Sequence, residues 1–96
     1  MPLEQLIERH RDEIRKVAAR HGVTRVRVFG SVARGESGPD SDLDLLVETG
    51  PKTSSWFPAG LIIDLEALLG CRVDVVTERG LHPDLHAYIL KDARPL

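Results

Sequence analysis

Over the first twenty positions apolar residues recur at Leu3, Leu6, Ile7, Ile14, Val17 and Ala18, with Glu4, Glu8, Arg11, Asp12 and Arg15 between them. That spacing lines one face of a 3.6-residue repeat and predicts an amphipathic opening helix over Leu3 to Arg20, with Gly22 as its closing glycine. Thr24 to Phe29 then alternates Val26 and Val28 with Arg25 and Arg27, as a half-buried first strand does. Gly30 to Asp40 carries Gly30, Gly35, Gly38 and Pro39 and loses the period, so it reads as a turn, with room for one helical turn, and a loop. Asp42 to Glu48 alternates again, Leu43, Leu45 and Val47 on one face and Asp42, Asp44 and Leu46 on the other. This is a second strand with two acids on one side.

Thr49 to Ser55 is polar and turn-rich, after which Leu61, Ile62, Leu65, Leu68 and Leu69 mark a helix closed by Gly70. Cys71 to Thr77 reads as a third strand. Pro83 suits the first position of a last helix reaching about Asp92, with Leu85 and Ile89 facing inward and Arg94-Pro95 ending it. The order of elements predicts a mixed α/β (α+β) fold, a small mixed sheet flanked by helices, without internal repeats.

A length of 96 residues allows one core, so residues 1–96 are expected to form a single domain. The chain is 42% hydrophobic and 29% charged, within the ordinary range of globular proteins. A net charge of -2 argues against stable nucleic-acid binding, which needs many Lys and Arg on phosphates, but leaves room for a small anionic ligand held through a metal. No apolar run has the length of a membrane span, and Met1 to Arg9 carries acids, unlike a secretory signal. A cytoplasmic protein without a membrane partner is expected, in keeping with Cys71 as the lone cysteine and hence no internal disulfide.

Three features converge on chemistry: Gly30-Ser31 directly after a strand, Ser41-Asp42-Leu43-Asp44-Leu45 on the next, and Asp74 inside a third apolar strand. Each alone is weak, since an Asp-x-Asp pair commonly just solvates a strand face. Together they change the picture. Acids two apart on a strand point to one side and can bridge hard cations, and Asp74 would complete the set from a neighbouring strand. Carboxylates crowded among apolar neighbours repel one another and lose hydration, and a divalent metal relieves both. With two magnesium ions on Asp42, Asp44 and Asp74 the expected reaction is nucleotidyl transfer. Gly30 lets the backbone approach a phosphate, the Ser31 hydroxyl can donate to it, and Arg34 is either a further phosphate contact or a solvated helix position.

The run Phe29-Gly30-Ser31-Val32-Ala33-Arg34-Gly35, then Ser41-Asp42-Leu43-Asp44-Leu45 and later Arg72-Val73-Asp74-Val75-Val76-Thr77, resembles the minimal nucleotidyltransferase family of the DNA polymerase beta-like superfamily. The resemblance covers nearly the whole chain. It implies that Asp42 and Asp44 bind both metals, that Asp74 binds the catalytic one and helps deprotonate the acceptor, and that Gly30 and Ser31 hold the phosphates of ATP. It also implies a partner, a HEPN-family ribonuclease toxin, with AMP transferred to a toxin tyrosine and the chain acting as antitoxin, in a possible hetero-oligomer with that toxin. Two alternatives stay open: neutralisation by binding alone, and transfer to a small molecule such as an aminoglycoside. Larger relatives hold such acceptors with additional domains, which a chain of 96 residues has little room for.

Other residues invite plainer readings. Ile63 and Ala67 form a second apolar stripe on the middle helix and Trp56-Phe57 precedes it, a docking surface or simply aromatic cover for the core. His82 and His86, four apart, lack a third ligand nearby and are expected to be surface histidines. Cys71 is expected as a core residue at a strand start, Tyr88 as a packing residue, and Arg25 and Arg27 as decoration of a strand face.

Overall fold

The computed structural model describes residues 2–96. Its elements run α1 (Leu3–Arg9), α2 (Arg11–Arg20), β1 (Val23–Phe29), α3 (Gly30–Ala33), β2 (Leu43–Thr49), α4 (Ala59–Leu69), β3 (Val73–Thr77), α5 (Pro83–Asp92) and β4 (Arg94–Pro95). The four strands form one mixed sheet in the order β3-β2-β1-β4. β1 pairs antiparallel with β2 and with β4, whereas β2 and β3 run parallel, joined by a crossover through α4.

Alternation along the strands sorts side chains onto two unlike faces. Leu43, Leu45 and Val47 of β2, Val73 and Val75 of β3 and Val28 of β1 build the main core. Ile14, Val17 and Ala18 from α2 and Leu61, Leu65 and Leu69 from α4 close it from the helix side. Both sets follow i, i+3 or i+4 spacing, and each fully buried leucine contributes about 1.5–3 kcal/mol. Gly70 ends α4 in the left-handed conformation at φ 68° that a C-terminal glycine adopts without strain.

The opposite face is thinner. Leu46 is fully buried there and Ile89 of α5 is buried too, yet both lie outside the main cluster. α5 packs on β1 and α3 and covers only part of this second face. Leu85 is 53% exposed and Tyr88 69% exposed, against the inward position expected for the one and the packing role expected for the other. The reason is that Ile89 alone of the α5 residues is buried, so this helix touches its neighbours along a narrow strip.

The opening segment also differs from the continuous helix its periodicity predicts, because it breaks at His10 (φ -108°, ψ 16°). Residues 8–13, Glu-Arg-His-Arg-Asp-Glu, offer no apolar side chain to anchor that turn, and His10 Nδ1 instead meets Glu13 Oε1 at 3.2 Å. Arg94-Pro95 does more than end a helix, since it adds an edge strand to β1, a place where proline's missing N–H is tolerated. His21 ties the layers together, its Nδ1 2.5 Å from Ser54 Oγ and its Nε2 2.7 Å from Asp64 Oδ2 of α4.

Candidate active site

The register of the sheet, rather than any one loop, brings the sequence-predicted acids together. In the parallel β2–β3 pair Asp44 stands directly opposite Asp74, and in the antiparallel β1–β2 pair it stands opposite Phe29, the residue before Gly30. Phe29, Asp44 and Asp74 therefore form a row across three strands, at the end where β1 finishes and β2 and β3 begin, and Gly30 follows Phe29 directly. Asp42 lies just before β2 and shares the alternation of Asp44. Asp42 and Asp44 are half-buried, and Asp74, on the edge strand β3, is exposed.

Gly30 is required here twice over. Its φ of +75° is a conformation that side-chain-bearing residues rarely adopt, and a Cβ built on it would run into Asp44 Oδ2. The β1–α3 turn thus passes directly against the central carboxylate. Ser31 follows in the single turn of α3, half-buried, with its carbonyl accepting from the Glu36 N–H at 2.8 Å.

Charge is crowded at this end. Burial pushes the Asp44 carboxyl above the usual carboxylate range, and repulsion from Asp74 and then Asp42 adds to the rise, with Arg34 opposing it. Arg34 itself is bound elsewhere, Nη1 to Asp92 Oδ2 at 2.6 Å and Nε to Glu36 Oε2 at 3.1 Å, which holds its pKa up. It links α3 to α5 instead of reaching over the row of acids.

Sequence reasoning passed over Arg72. Its Nε lies 2.9 Å from Asp42 Oδ1. That oxygen is buried and makes no directed hydrogen bond, so the pairing is Coulombic, without donor–acceptor alignment. The signal was present in the register: Leu43 opposite Val73 sets residue 72 beside residue 42.

Among the described residues no three carboxylate, imidazole or thiol groups converge as a cation site, and Asp42 is paired with Arg72. The residues nonetheless suit a hard divalent cation: oxygen donors only, an orphaned buried carboxylate oxygen on Asp42, and a central acid that burial and like charge disfavour in its ionised form.

The remaining candidates fall away from this row. A cleft of about 500 Å³ lined by Thr24, Thr49, Thr77 and Glu78 opens at the opposite end of β2 and β3. His82 caps α5, its Nδ1 accepting from the Asp84 N–H, and His86 Nε2 meets Glu78 Oε1 at 3.3 Å. Cys71 packs partly against the core, and burial raises its thiol pKa, with Glu66 and Asp42 adding to the rise, which makes a thiolate nucleophile unfavourable. Arg27 is no mere decoration, since its side chain is 11% exposed and pairs with Glu78 at 2.6 Å, while Arg25 meets Glu48 at 3.5 Å. Phe57 packs against the core, whereas Trp56 is 86% exposed and Ile63 64% exposed, so only one of the two aromatics serves as cover.

Known proteins resemble this chain in sequence and in fold. A family model described as a nucleotidyltransferase domain matches residues 7–96. The protein adenylyltransferase MntA of Thermococcus cleftensis is 38% identical over 90 residues, 94% of this chain and 88% of that relative. A solved structure described provisionally as a minimal nucleotidyltransferase aligns with a TM-score of 0.85 at 53% identity, covering 100% of this chain and 97% of that one. A chain from the complex of tri-AMPylated Shewanella oneidensis HEPN toxin with MNT antitoxin shares the fold, with a TM-score of 0.66 at 19% identity over 96% of this chain and 70% of that one. With the row of acids, the glycine turn beside it and the match over residues 7–96, the chain belongs to the nucleotidyltransferase domain family.

Proposed function

We propose that this chain is a magnesium-dependent protein adenylyltransferase that transfers AMP from ATP to a tyrosine hydroxyl of a HEPN-type toxin and so acts as its antitoxin. The observation that carries this reading is the pairing of Asp44 with Asp74 across β2 and β3, with the Gly30 turn against Asp44 and Asp42 just before β2. The name of the Thermococcus relative and the AMPylated toxin complex of the Shewanella neighbour supply the acceptor class. Residues 1–96 would then be one catalytic domain, working in the cytoplasm, where ATP is available.

Asp42, Asp44 and Asp74 would hold one or two magnesium ions, which when bound neutralise charge on the triphosphate and lower the pKa of an attacking hydroxyl. Gly30 offers bare backbone to the phosphates, and the Ser31 hydroxyl donates a hydrogen bond to a phosphate oxygen. Arg34, released from Asp92 or Glu36, could add a further cation there. Asp74, exposed on the edge strand, is open to solvent, and its carboxylate would accept the proton that an attacking protein hydroxyl gives up. The acceptor oxygen bonds to the α-phosphorus as the bond to the β-phosphate bridging oxygen breaks, and pyrophosphate leaves.

Exposed Trp56 and Ile63 favour a second reading in which part of the neutralisation comes from binding alone. Both readings meet one experiment: ATP labelled at the α-phosphate, magnesium, the purified chain and its HEPN partner, with the Asp42→Asn, Asp44→Asn double variant alongside. Label on the partner that falls by at least about 100-fold in the variant is expected. Complex formation without label transfer would leave masking as the mode of action.

A further inference from the structure

The crowded acids have one neighbour of opposite charge that the proposed reaction does not use. Arg72 lies one strand away from Asp42, fixed there by the β2–β3 register, with its carbonyl accepting from the Leu43 N–H at 2.9 Å. Its guanidinium reaches Asp42 Oδ1 at 2.9 Å and the Asp40 carbonyl at 3.5 Å, spanning the entry to β2. The Arg72 side chain is 75% exposed, so it can swing into water without disturbing the core, whereas Asp42 Oδ1 is buried and has no directed hydrogen bond to lose. A carboxylate held by charge alone, by a solvent-exposed cation on the rim, is easily surrendered to a stronger one.

We propose that Arg72 is a resident counter-ion, a positioning residue that occupies Asp42 in the metal-free protein and is displaced when the carboxylates take up a divalent cation. The proposal rests on the reading of Asp42, Asp44 and Asp74 as the cation site. Its consequence is a swap: the acids are compensated before loading by Arg72 and afterwards by the ion, and Arg72 sets the affinity by competing for Asp42. Because the pair is exposed on the arginine side, the competition is screened by salt.

The test is binding of Mn²⁺ alone to the intact chain, followed by the fall of its free-ion paramagnetic resonance signal. Arg72→Ala, with Arg72→Gln as a second neutral variant, is expected to bind Mn²⁺ a few-fold more tightly than wild type, up to about five-fold for an exposed ion pair. Arg72→Lys should lie nearer wild type, and the gap between wild type and Arg72→Ala should close as KCl is raised. In an Asp42→Asn background, removing Arg72 should leave Mn²⁺ affinity unchanged, because the partner it competes for is gone. Equal or weaker Mn²⁺ binding in both neutral variants overturns the counter-ion role while leaving the carboxylate site intact. Wild-type Mn²⁺ affinity in the Asp42→Asn, Asp44→Asn double variant would instead remove the cation site on which the role depends.

Discussion

Gly30 shows how much of the site hangs on a single missing side chain. The residue turns the chain at φ +75° and leaves room for Asp44 Oδ2 where a Cβ would sit. Gly30→Ala should therefore lower stability by about 1–3 kcal/mol, through the left-handed backbone and the collision with Asp44, and reduce nucleotidyl transfer further than the unfolding accounts for. Chemical denaturation of the variant, with transfer assayed under conditions where it stays folded, checks both; a variant as stable and active as wild type would show that the turn relaxes freely. Only the glycine's need for close approach was legible in the sequence. That the approaching group is a carboxylate followed from the pairing of Phe29 with Asp44.

At the scale of elements, the acids are placed by strands whose rigidity comes from the other face of the sheet. Leu65 of α4 is fully buried in the main core, on the crossover that joins β2 to β3 and so sets Asp44 against Asp74. Leu65→Ala should destabilise the protein by about 2–5 kcal/mol in urea unfolding. A loss below about 1 kcal/mol would mean that α4 collapses onto the sheet and fills the space. The core helices were readable because Ile14, Val17 and Ala18, and Leu61, Leu65 and Leu69, each repeat at helical spacing within one element. α5 was misjudged in its details because its partner is the acid-bearing face, where Leu46 and Ile89 supply little apolar surface, and periodicity alone does not say how wide a strip a helix buries.

For the whole molecule, the balance of charge links stability to pH and to cations. Asp44 has its pKa raised in the folded state by burial and by Asp74 and Asp42, so its ionisation opposes folding. That opposition is absent below its ordinary pKa and sets in as pH rises through the raised value. Glu4 and Glu78 run the other way: hydrogen bonding from Ser37 to Glu4 and from His86 to Glu78 lowers their pKa values, and their contribution is lost as pH falls through those lowered values. At pH 7 without divalent cations, Asp44→Asn should melt about 2–5 °C above wild type, with the advantage shrinking toward about pH 4. Magnesium should raise the melting temperature of wild type and do less for the variant, since a ligand that prefers the folded state stabilises it. Scanning calorimetry across this pH range, with and without magnesium, decides the matter; an Asp44→Asn protein that melts at or below wild type would place little strain at the acids.

The amino-acid sequence by itself determined the kinds and order of the main elements, apart from β4 and the split of the opening helix, the two acids set together at the start of β2, and the family, because alternation, helical spacing and short motifs are local properties of a chain. Among the described residues no helix is long and apolar enough to cross a membrane. Tertiary structure alone decided which neighbours each charge meets. The coverage of Arg27, the capture of Arg34 by Asp92 and the hold of Arg72 on Asp42 all depend on registers and packing between distant segments. Coulomb interactions follow distance in space, and residues 42 and 72 become neighbours only when β2 and β3 pair.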